Sequence, residues 1–373
     1  MIYLDSAATS LQKPSAVRYA MADAIEKLSS PGRGGHPNAM AAANVLLDCR
    51  MALGKLLGVK EPERVVITSN ATHGLNIAIK SLVEAGDRVV VSGYEHNAVM
   101  RPLKAVGANV TVAASPLFEP EKAVEAFRKC LPGARAAVCC HVSNVFGYIL
   151  PVEEIAALCR EYGVPLIVDM SQSAGSLNID FDRLDCAFAA MPGHKGLLGP
   201  QGTGVLLCGR AEARPLLEGG TGTASEQMEM PEHLPDRLEA GTHNMPGIAG
   251  LLAGVRWVQR KTTPVILRHE RMLLKRFLEE LDGTPRVRLY ESGDGRCQSG
   301  VLSLQLVDMD CEEAARRLGE RGIAVRAGLH CAPLAHETAK TLDHGTIRFS
   351  FSPFNTVREV CVAAGQLRRL AMG

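Results

Sequence analysis

The sequence predicts an α/β protein, with a larger unit built on a mainly parallel sheet sandwiched by helices and a smaller α+β unit. Three observations predict it. The chain has 373 residues, beyond the roughly 250 to 300 at which a single hydrophobic core stops growing. From about Val65 to Cys208 short apolar runs alternate with helical patterns, the signature of βαβ units. Near Pro246 the pattern changes to a long helical segment followed by hairpin-like runs.

The apolar runs place strands at 64–68, 88–92, 110–113, 136–141, 166–169, 186–190 and 204–207. Between them, residues 72–84, 119–129 and 152–162 repeat apolar side chains at three and four and close on Gly or Pro, which predicts helices. Residues 218–225 and the stretch to Pro235 are rich in Gly and polar residues, a loop. Segment 247–281 is helical with an interruption at 262–264. Strands at 299–306, 323–326 and 346–350 then flank a helix at 311–321. The expected division is a larger unit at 16–246 and a smaller one formed by 1–15 and 247–373.

A formal charge of +1, from 41 basic and 40 acidic residues, creates no field favouring nucleic acid or an anionic membrane, so a small-molecule substrate is expected. No apolar run approaches the roughly 20 residues needed to cross a bilayer, and MIYLDSAATS lacks the features of a secretory signal. The expected location is the cytoplasm. Eleven cysteines without paired spacing suit a reducing compartment. Cys139, Cys140, Cys159, Cys186 and Cys208 fall in apolar stretches and are expected to be inert and buried. His330, Cys331 and His336 could begin a metal site, but no second pair completes a four-ligand set, so no metal is expected.

Several strand ends carry chemistry, each with a structural alternative. The run Leu166-Ile-Val-Asp169 ends in a carboxylate, placed either for a ligand or simply to start a turn. Lys195, in Met191-Pro-Gly-His-Lys195-Gly, sits on a turn where it would lose solvation and be activated, although a loop lysine is more often solvated and idle. The segment Ser69-Asn-Ala-Thr72-His-Gly opens a helix and can cradle an anion, or merely cap it. His96, Asn144 and Gln172 lie beyond other strands, able to stack on a ring or hydrogen-bond a ligand. Together these residues supply what pyridoxal 5′-phosphate (PLP) needs: an amine for its aldehyde, an acid for its ring nitrogen, a phosphate cradle and a flat contact.

The chain also resembles a known family in its motifs: YLDSAATS at 3–10, EHNA at 95–98, HVSNVFG at 141–147, VDMSQSAG at 168–175, GHKGLLGPQGTG at 193–204, EAGTHN at 239–244, RAGLHCA at 326–332 and IRFSFSPFNT at 347–356. They resemble the class V PLP-dependent enzymes, in particular the cysteine desulfurase and selenocysteine lyase group. The resemblance implies PLP-dependent transferase fold-type I and a homodimer. It implies Lys195 as the Schiff-base lysine, Asp169 on the pyridine nitrogen, Gln172 on the ring oxygen and His96 over the ring. Asn70, Ala71, Thr72 and His194 would hold the phosphate with Thr242 from a second subunit, and Asn144 and Arg348 the substrate carboxylate. Cys331 would accept sulfur from L-cysteine as a persulfide, releasing alanine, with an acceptor protein next in line. The nearest alternatives are a selenocysteine lyase, acting on L-selenocysteine, and a β-lyase or aminotransferase of the same class. His330 beside Cys331, with Arg326 near in sequence, is expected to draw the thiol toward thiolate. Two departures stand out: Pro192 replaces the usual Ser, for which Thr221 or Thr223 would compensate, and Leu329 stands where a second histidine is frequent.

Overall fold

The computed structural model describes residues 1–31, 34–223 and 225–372. A short strand β1 (Ile2–Tyr3) is followed by helices α1 (Ser15–Lys27) and α2 (Pro37–Leu57). The larger sheet holds β2 (Val65–Thr68), β3 (Arg88–Ser92), β4 (Asn109–Ala113), β5 (Ala136–Cys140), β6 (Leu166–Asp169), β7 (Phe188–Pro192) and β8 (Gly204–Cys208), in the order β2-β8-β7-β6-β5-β3-β4. Strands β3 to β7 pair in parallel, and β8 runs against both β7 and β2. Interleaved with them are α3 (Ala71–Leu82), α4 (Asn97–Val106), α5 (Pro120–Cys130), α6 (Val152–Glu161) and α7 (Phe181–Leu184).

This sheet is covered on both faces, so its strands are apolar throughout rather than alternating. Val90, Ala137, Val168 and Ala189 join one core, while their neighbours Val89, Val138, Ile167 and Phe188 join another. That is the two-residue period of a strand read from either side.

The chain continues through α8 (Met245–Lys261) and α9 (Thr263–Leu281), broken at Thr262, whose φ of 69° ends the first helix at the interruption expected near 262–264. Strands β9 (Val287–Tyr290), β10 (Val301–Leu306), β12 (Arg326–Gly328) and β13 (Thr346–Ser350) form an antiparallel sheet, with α10 (Cys311–Glu320), α11 (Pro333–Thr338) and α12 (Val357–Met372). The expected strand at 323–326 is two: β11 (Ile323–Ala324) pairs with β1, and Arg326 begins β12. Leu273 and Phe277 of α9 pack in the core of this second sheet, whereas Ile248, Leu251 and Val255 of α8 pack in that of the first.

Among the described residues no helix or strand falls between 218 and 235, and Ala224 of that expected loop lies outside them. The strand expected at 186–190 is observed two residues later, because Pro192 needs no ladder donor at a strand end. No helix among the described residues is long and apolar enough to cross a membrane.

Candidate active site

Parallel pairing delivers the carboxyl ends of β3, β5, β6 and β7 to one edge, and two successive antiparallel pairings bring the end of β2 there too. The connections leaving that edge surround a cleft of about 120 Å³. Asn70, Ala71, Thr72, His96, Asn144, Asp169, Gln172, His194 and Lys195 all line it.

Asp169 closes β6 in a buried position, and its Oδ1 accepts the Ser171 N–H at 2.8 Å. Lys195 follows β7 by three residues and makes no hydrogen bond or ion pair among the described residues. Burial lowers its ammonium pKa to about 8, against the pull of Asp169, so a useful fraction is free amine near neutrality. His96 caps α4, its Nδ1 accepting the Ala98 N–H at 3.0 Å. Its proton therefore sits on Nε2, and burial lowers its pKa, leaving a flat, uncharged ring.

At the other end of the cleft Asn70 spends its side chain on capping α3, with Oδ1 accepting from His73 N–H at 2.9 Å. What remains for an anion is the first turn of α3, where Ala71 and Thr72 lack intrahelical acceptors. His194 holds Thr9 Oγ1 at 3.0 Å through Nδ1, and burial, the main cause, takes its pKa to about 4. Gln172 Nε2 donates to the Ala7 carbonyl at 2.9 Å. The chain after β1 is thus laced to this wall. Pro192 lines the cleft but offers no N–H. Thr221, Thr223 and Thr242 instead line a separate hollow with Arg50, Glu239 and His243; within one chain none of the three threonines reaches the Pro192 side.

Arg348 is not the free fork that its sequence position suggests. It is buried in β13, with Nη2 donating to Asp5 Oδ1 at 2.7 Å, Nη1 to the Asn144 carbonyl at 2.8 Å, and Nε buried without a partner. Asn144 Nδ2 in turn donates to the His330 carbonyl at 2.9 Å. The Cys331 carbonyl accepts from Asn97 N–H at 2.8 Å, next to His96. Cys331 is therefore fixed beside the cleft, yet its thiol is exposed. His330 and Cys331 both have left-handed backbone, φ 50° and 57°, a turn that costs non-glycine residues on the order of 1 kcal/mol each.

The expected help from His330 fails on geometry. Its ring is buried and turned inward, with Nε2 donating to the Thr346 carbonyl at 3.1 Å, and burial holds its pKa near about 2. Arg326, exposed on β12 opposite Arg348, pushes down the pKa values of His96 and Lys195. His330 stacks on His336 at 5.8 Å, and no group of three or more acidic, Cys or His residues among the described ones is arranged to hold a metal.

Two residues escaped the sequence reading. Asp5 fills the end of Arg348, and its signal was its place inside the YLDSAATS motif. Glu95 lies fully buried behind the cleft wall, where Oε1 accepts from Ser92 Oγ and from Cys140 N–H and Oε2 has no partner. It ties the turn carrying His96 to β5, and burial, the main cause, raises its pKa to about 7.

A family model for class-V aminotransferases matches residues 2–362. The chain belongs to that family. A probable cysteine desulfurase of Methanothermobacter thermautotrophicus is 31% identical over 386 residues, covering 99% of this chain and 94% of its own. A cysteine desulfurase of Escherichia coli O157:H7 is also 31% identical, covering 99% of this chain and 93% of its own. The apo cysteine desulfurase structure from Thermococcus onnurineus has a TM-score of 0.90 at 30% identity, covering all of this chain and 95% of that one. Class-V enzymes of this kind depend on PLP. The class-V site here fits that group on its own terms: an unpartnered, desolvated lysine, a carboxylate one strand away, a neutral aromatic ring and an open helix N-terminus share one cleft.

Proposed function

We propose that the chain is a PLP-dependent cysteine desulfurase that converts L-cysteine to L-alanine and leaves the sulfur as a persulfide on Cys331 for an acceptor. One observation carries this reading: an exposed thiol, tied through its own carbonyl to the residue after His96, stands beside the cleft that buries Lys195 near Asp169.

When bound, PLP supplies an electron sink that lets an amino acid lose its Cα proton. Lys195 would hold its aldehyde, Asp169 would keep its ring nitrogen protonated, Gln172 would meet the ring oxygen and His96 would offer a flat face. Asn70, Ala71, Thr72 and His194 would receive the phosphate, with Thr242 from a second copy. Arg348 and Asn144 orient the substrate carboxylate, Arg348 by the N–H groups that Asp5 and the Asn144 carbonyl leave free. Lys195 as free amine takes the Cα proton. Cys331, as thiolate, attacks the substrate sulfur; an S–S bond forms as the C–S bond breaks, and the electron pair stays with the carbon that becomes the alanine methyl.

The second copy has support on the surface. Met40, Leu47 and Met51 expose one apolar stripe of α2, and Leu47 also lines the hollow that holds Thr242. Leu329, 38% exposed, gives the Cys331 rim an apolar contact for a sulfur acceptor. Incubation of the holoenzyme with L-cysteine and a reductant should release sulfide and alanine in equal amounts, and Cys331→Ala should release neither. Turnover of L-selenocysteine that survives Cys331→Ala, with none on L-cysteine in the unaltered protein, would replace this reading with selenocysteine lyase.

A further inference from the structure

The segment between β1 and α1 meets the Lys195 turn at one atom, the carbonyl oxygen of His194. That oxygen accepts from Ser10 N–H at 3.1 Å and Ser10 Oγ at 2.9 Å, with Thr9 Oγ1 and Lys13 Nζ each at 3.4 Å. Lys13 Nζ also donates to Ser10 Oγ at 2.8 Å. An ammonium, a hydroxyl and a carbonyl thus form a chain in which each bond strengthens the next. Thr9 Oγ1 holds His194 Nδ1 at 3.0 Å, which leaves Nε2 as the ring nitrogen without a partner among the described residues. Lys13 has no acidic partner among them either: its contacts are neutral oxygens. Burial of this ammonium lowers its pKa to about 8, the mark of a cation without a counter-ion.

The cleft has the opposite imbalance. A phosphate monoester carries about two negative charges near neutrality, whereas a helix N-terminus offers roughly half a positive one. Among the described residues lining the cleft, Lys195 is the only lysine or arginine, and its amine is needed for the aldehyde. His194 is uncharged near neutrality, since burial takes its pKa to about 4. The fields of Arg101 and Arg326 are felt at His96, and Arg348 is held by Asp5. At His194 the cations felt are Lys195 and Lys13. The His194 turn also adjoins the start of α3: Gly204 pairs with Pro192, and a Cβ on it would lie 2.6 Å from Asn70 Cα. The unpaired ammonium therefore adjoins the end of the cleft where the phosphate would lie.

We propose that Lys13 is a positioning residue for the cofactor phosphate: through Ser10 and the His194 carbonyl it fixes the turn carrying His194 and Lys195, and its ammonium balances the phosphate from behind His194. The assignment rests on the PLP reading of the cleft. Each partner then supplies what the other lacks, a counter-ion for the buried ammonium and a full positive charge for the phosphate. Thr9 and Ser10 carry the effect, one on the ring of His194 and one on its carbonyl.

The test titrates the full chain, freed of cofactor, with pyridoxamine 5′-phosphate and with pyridoxamine, which form no imine with Lys195 and differ only in the phosphate. By calorimetry, Lys13→Met should raise the Kd of the phosphorylated ligand about tenfold and leave that of pyridoxamine unchanged. Lys13→Arg, which keeps the charge, should restore most of the loss. A purely structural strap would weaken both ligands equally; that result, or an unaltered Kd for the phosphorylated ligand, would overturn the assignment. Should Lys13→Met fail to fold, the unaltered chain decides. At neutral pH, acetylation of Lys13 by acetic anhydride, read by peptide mass spectrometry, should slow about tenfold with pyridoxamine 5′-phosphate bound and not with pyridoxamine. Equal rates with the two ligands would sink the proposal. Binding of the phosphorylated ligand that ignores Lys13 leaves the PLP reading standing, whereas no binding to the unaltered chain removes both.

Discussion

Lys195 lines the cleft and Cys331 stands beside it, in opposite settings. The lysine's surroundings are carried on strands buried along their whole length, positioned by sheet register and stripped of water. The cysteine stands on an exposed left-handed turn, held by hydrogen bonds from Asn97 N–H and Asn144 Nδ2 to the main chain of residues 331 and 330. An amine that must accept a proton gains from lost solvation, whereas a thiol that must pass sulfur to another molecule has to be reachable. The scaffold is rigid where a proton moves and open where an atom leaves.

This contrast can be broken from either side. Lys195→Ala should remove the visible absorbance of the bound cofactor and lower turnover at least about 10³-fold; a coloured, active variant would refute its role. Cys331→Ala should leave the absorbance intact while cutting alanine release from cysteine on the order of 10²-fold or more, so loss of both signals together would mean that the turn supports the wall. Arg348→Lys, which keeps the charge but loses the fork, should raise KM about tenfold to a hundredfold with a smaller change in kcat. Uptake of PLP by the apoprotein requires free Lys195 amine. Because burial brings that group to about 8, the loading rate should fall about tenfold per pH unit below 8 and level above it, a trend that stopped-flow absorbance would show.

Glu95 gives the smallest effect. Its carboxyl stays protonated in the folded chain to about 7, against an ordinary value of 4.5. The unfolded chain releases that proton first, so folding stability falls as pH rises from 4.5 to about 7 and is flat above. Glu95→Gln should remove this fall, at most about 3 kcal/mol. A Tm-against-pH profile identical to that of the unaltered protein would show that Glu95 does not titrate there.

The strands were legible because a sheet covered on both faces demands unbroken apolar runs, and Asp169 near Lys195 followed from β6 and β7 being neighbours in both chain and sheet. Helix α1 was not, since Pro14 precedes it without a side-chain cap, and α4 carries Pro102 inside it. Contacts between distant segments left no local trace: Asp5 meets Arg348 across 343 residues. His330 misled for the opposite reason. Adjacency in sequence suggested a partner for Cys331, but two consecutive left-handed residues turn the neighbouring side chains apart, one into the core and one to solvent.

Of eleven cysteines, seven are buried and three half-buried, and only Cys331 is exposed. Desolvation also raises the thiol pKa values of Cys49, Cys139, Cys140, Cys159, Cys186 and Cys208, which makes them poor nucleophiles. An electrophile in solution therefore meets Cys331 first, ahead of the half-buried Cys130, Cys297 and Cys361. Alkylation of the native chain should be fastest at that position, and the same exposure makes it the first casualty of peroxide.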